Sequence, residues 1–173
     1  MTRTSPSWWV RPSLIAAAAS VVLGVVSGLV WLWLADPARW QVRDNGLVMT
    51  EAGARGQFQV VAMFVIVGVV GSLLIGWLVG RLLLDAGWPA SAVAVVLTSL
   101  AAVIAWRVGV ELGPPSPTTV SDAAVGDTVP ARLAVDGFVP FLVWPIFGLA
   151  GLIAATWSGD VRVSERSGPA RLG

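Results

Sequence analysis

Apolar and polar positions along the chain separate into four long blocks divided by short polar punctuation. Residues 13–35, 58–84, 90–112 and 130–157 are each dominated by Ala, Val, Leu, Ile and Gly. About 20 consecutive apolar residues are needed for a helix to cross the roughly 30 Å hydrocarbon core of a bilayer. Each block therefore predicts a membrane-spanning helix. Asp36-Pro37 ends the first, and Arg81 closes the second ahead of a short helical tail. Asp85-Ala86-Gly87-Trp88-Pro89 is a tight turn that makes helices two and three antiparallel neighbours. The prolines at 114, 115 and 117 stop the third. In the fourth, Thr128 is a candidate cap ahead of Pro130, and Pro140 and Pro145 are read as interior kinks that membrane helices tolerate. Residues 158–173 form a polar tail, expected to be disordered.

Within the blocks, small residues recur every fourth position. Ala16, Ser20, Gly24 and Gly28 share one face of the first helix; Gly68, Ser72, Gly76 and Gly80 share one face of the second. Such stripes let helix backbones approach closely in lipid. The simplest arrangement sets the two stripes against each other, and a partner's helix is the alternative.

The first loop has a different period. Trp40 to Arg43 and Leu47 to Thr50 flank Asp44-Asn45-Gly46, and Asn-Gly favours the type I′ turn of a β-hairpin. An isolated hairpin is marginal in water, so this one needs a surface to lie on. It is either a plain connector or a docking ribbon built on Trp40, Asn45 and Gly46. The second loop, to about residue 129, carries Asp122 and Asp127 without clear periodicity, which points to contacts outside the chain.

Composition sharpens this picture. The 173 residues are 56% hydrophobic and 12% charged, with a mean hydropathy of +0.80, values of a membrane protein. A positive segment before an apolar run also describes a signal peptide, but the run is too long for one and Leu34-Ala35-Asp36-Pro37 is a poor cleavage site. Orientation follows from the arginines. With both termini cytoplasmic, six lie inside (Arg3, Arg11, Arg81, Arg162, Arg166, Arg171) and five outside (Arg39, Arg43, Arg55, Arg107, Arg132). Arg11, flanking the first span, tips the balance. Trp8, Trp9, Trp77, Trp88 and Trp157 then gather near one membrane face, and Trp31, Trp33, Trp40 and Trp106 near the other; Trp144 falls at mid-membrane.

The chain has no Cys, His, Tyr or Lys. That removes thiol nucleophiles, Cys/His zinc sites, Ser-His triads and lysine Schiff bases. Carboxylates lie near helix ends and in loops, with no converging spacing and no phosphate-binding glycine loop. The expectation is a chain that is not an enzyme, with no cofactor and no metal. The net charge of +1 comes without a basic patch, so no nucleic acid partner is expected.

Arg107 is the residue that stands out. It lies inside an apolar run, cannot lose its proton, and marks a functional site or a side chain that snorkels to the interface beside Trp106. Its candidate partners in a structural ion pair are Glu111, one turn on, and Asp136 on the fourth helix. Asp136 is favoured, because its depth matches and Arg before Glu at i,i+4 is the weaker order.

Three segments carry a resemblance. Leu29-Val30-Trp31-Leu32-Trp33-Leu34-Ala35, Ala105-Trp106-Arg107-Val108-Gly109 through Leu112-Gly113-Pro114, and Phe141-Leu142-Val143-Trp144-Pro145 resemble, in order and spacing, an actinobacterial family of four-helix membrane proteins of unknown function; Asn45-Gly46 matches its turn. The resemblance covers about residues 20–155. It implies an accessory subunit of an MCE lipid-import complex, with permease, ATPase and MCE proteins as partners. It supplies no catalytic residues. The expectation is thus an all-α membrane protein of the plasma (inner) membrane, with four transmembrane helices, both termini cytoplasmic and a small extracytoplasmic β-hairpin. The alternative function is a stand-alone small transporter of anionic or amphipathic molecules.

Overall fold

The computed structural model describes residues 7–35, 39–43, 46–49, 51–114, 128–130, 133–135 and 137–166. Four long helices carry the fold: α1 (Ser7–Leu34), α2 (Glu51–Leu83), α3 (Pro89–Leu112) and α4 (Val139–Arg166). Stretches of each are long and apolar enough to span a membrane: Trp9–Leu34, Arg55–Leu83, Pro89–Leu112 and Val139–Ser158. This is a multi-pass membrane protein. Three short strands, β1 (Arg39–Arg43), β2 (Gly46–Met49) and β3 (Thr128–Pro130), lie between the helices.

Several helix limits differ from the sequence reading, each for a local reason. Helix α4 begins at Val139 rather than near Pro130. Gly137 takes a positive φ of 87°, and Thr128–Pro130 is already committed to extended pairing with β1. Pro140 therefore sits in the first turn, where a missing N–H costs nothing, and Pro145 is the proline inside the helix. At its other end α4 runs on through residue 166, because no strong breaker precedes Gly168-Pro169; the polar tail is helical over its first part. Helix α1 starts at Ser7 and takes in Pro12, and α2 starts at Glu51, its first turns polar.

The turn between α2 and α3 works as its residues dictate. Leu84–Ala86 tightens into a 3-10 turn, Gly87 adopts φ +67°, and Pro89 opens α3. The helices it joins run in opposite directions, yet neither is the other's main neighbour. The most extensive contacts are α2 with α4 and α1 with α3; α1 also touches α2, and α3 touches α4. The close pairs are thus parallel pairs.

Glycine contacts explain the pairing. A Cβ on Gly24 would lie 3.0 Å from the Ala101 carbonyl oxygen, and one on Gly28 would lie 2.7 Å from that of Ala105. The stripe of α1 therefore lies on α3, which presents its own small residues there. A Cβ on Gly68 would meet the Trp144 indole, one on Gly76 the Gly148 carbonyl, and one on Gly80 the Ala155 Cβ at 2.5 Å. The stripe of α2 lies on α4. The expectation that the two stripes face each other is thereby corrected. Each has a small-residue face on a parallel helix as its partner: Ala101, Ala105 and Gly109 on α3, and Gly148, Gly151 and Ala155 on α4.

Three buried hydroxyls, those of Ser20, Ser72 and Thr98, are satisfied along their own helices. Ser20 donates to the Ala16 carbonyl at 2.7 Å, Ser72 to that of Gly68 at 2.6 Å, and Thr98 to that of Ala94 at 2.7 Å. None of these three bonds crosses between helices, so at their depth the pairs are held by close packing.

The three strands form one antiparallel sheet in the order β2-β1-β3. Trp40 stands opposite Met49 on one side and Val129 on the other. The segment entering α4 thus returns to the first loop. Asp44, Asn45, Asp122, Asp127 and Asp136 lie outside the described residues.

Candidate interaction site at the end of the third helix

Arg107 lies five residues before the end of α3, about 7.5 Å along the axis at 1.5 Å per residue. Its side chain points out of the bundle. Arg107 is 64% exposed and Glu111 69%, with 3.8 Å between the Nη1 and Oε1 atoms. This i,i+4 pair is the ion pair found among the described residues. The guanidinium also sits 5.2 Å from the centre of the Trp106 ring.

Behind this charged edge, aromatic rings lead inward. Trp106 meets Phe141 edge-on at 6.1 Å, and Phe141 tilts against Phe64 at 5.2 Å. Phe64 meets Trp31 at 5.1 Å and Trp144 at 5.9 Å. One ring chain therefore touches all four helices. Trp31 and Trp144 are fully buried. Trp31 donates its indole N–H to the Val60 carbonyl at 2.8 Å, and its ring occupies the space that a side chain on Gly109 would need. Trp144 packs inside the bundle against Gly68.

Sequence reasoning placed Trp31 in the interface belt. The helical spacing pointed elsewhere: Gly24, Gly28 and Trp31 are offset by four and three, so Trp31 continues the buried stripe. The same spacing on α4, Trp144, Gly148, Gly151 and Ala155, marks its buried face. Of the eight stripe residues, all are buried. Trp40 and Gly46 fall in β1 and β2, away from the Arg107 edge in sequence and joined to it by no described contact.

A second charged contact lies at the opposite end of the bundle. Arg81 donates through Nη2 to Ser158 Oγ at 3.2 Å and lies 5.0 Å from the Trp77 ring. It ties the last turn of α2 to α4, and its positive charge also suits the α2 C-terminus. No family model matches the sequence, and no curated protein or solved structure matches it either.

The Arg107 edge presents one cation and one anion, both largely exposed, beside a half-buried Trp106 whose ring leads into the chain of aromatic contacts.

Proposed function

We propose that this chain is a non-catalytic accessory subunit of an MCE-type lipid and fatty-acid import transporter in the plasma membrane. In this reading both termini are cytoplasmic, and the three-stranded sheet and the Arg107 edge lie on the extracytoplasmic side. The chain associates there with the permease, or with the MCE proteins, of a complex that an ATPase drives. The observation that carries the subunit reading is the division of its surfaces. The small-residue stripes are consumed by packing within the chain, while Arg107 and Glu111 are exposed beside the aromatic chain that starts at Trp106. The segments around Trp31, Arg107 and Trp144, which resemble those of the mycobacterial accessory subunit LucB, supply the class of partner.

The test is purification of the tagged chain from its own membranes in a gentle detergent. The permease and ATPase are expected in fixed ratio to the chain. Arg107→Ala is expected to lower that recovery while the chain stays folded. Recovery of a homodimer alone, which moves an anionic or amphipathic solute when reconstituted in vesicles, would replace this reading with a stand-alone transporter.

A further inference from the structure

We draw no further inference here: the strongest candidate, the apolar groove between the first halves of α1 and α3 lined by Trp9, Ala17, Val93 and Val96, is an open face with nothing in the structure to show what covers it.

Discussion

At the residue scale, glycines and one tryptophan set the tolerances of the bundle. Gly76→Ala would drive a methyl group into the Gly148 carbonyl, which is backbone and cannot swing aside. A loss of about 1–3 kcal/mol is expected, the usual cost of overpacking. Gly24→Ala, whose nearest atom would be 3.0 Å away, should lose less. Unfolding of both variants by denaturing detergent, followed by circular dichroism, checks that order. Trp31→Phe removes the bond to the Val60 carbonyl and should cost about 0.5–1.5 kcal/mol. Trp31→Ala leaves a void among four helices and should cost about 3–5 kcal/mol. Arg107 behaves differently. A buried ion pair with Asp136 would make Arg107→Ala severely destabilising, but the side chain is mostly exposed and its described partner is Glu111. Exposed pairs contribute about 0–1 kcal/mol, so Arg107→Ala should unfold almost as the wild type does. A loss above about 2 kcal/mol in the same titration would return Arg107 to a structural role.

At the element scale, the four spans were legible because hydropathy and length state them directly. Hydropathy does not state their ends. Gly137 decides where α4 starts, and Arg132 with Asp136-Gly137 marked that break in the sequence, a turn signal the apolar count over 130–157 runs across. Gly137→Ala, forced to keep φ near +87°, should cost about 1–2 kcal/mol, whereas Pro140→Ala in the first turn should stay within about 0.5 kcal/mol. Thermal unfolding of the two variants side by side measures the contrast. The partner of each stripe was also hidden, for a physical reason. Small faces are interchangeable: glycines on α1 fit any helix with a small face, and α1, α2, α3 and α4 all have one. What chooses among them is bulk on either side. Trp31 fills the place beside Gly109, and Trp144 the place beside Gly68, so each large ring locks one parallel pair in register. The Arg107 edge was legible as a residue and as a depth. Its direction was not, because outward or inward facing depends on which helices flank α3.

At the scale of the whole molecule, parallel pairing governs which surfaces remain for other molecules. With α1 on α3 and α2 on α4, both glycine stripes are covered, and the outer valine and leucine faces and the Arg107 edge stay exposed. Had the stripes of α1 and α2 faced each other, α3 and α4 would have kept their small faces open, and a partner helix would be the natural occupant. The pairing is thus the claim on which the functional reading rests. Because the chain has no cysteine, introduced pairs report it without background. A Cβ on Gly28 would lie 2.8 Å from the Val108 Cβ, and one on Gly80 would lie 2.5 Å from the Ala155 Cβ. A small separation of the helices brings either pair to the roughly 3.8 Å typical of a disulfide. Gly28→Cys with Val108→Cys, and Gly80→Cys with Ala155→Cys, are therefore expected to cross-link within one chain on mild oxidation in native membranes. Failure of both pairs to link in chains that are folded and inserted would contradict the parallel pairing.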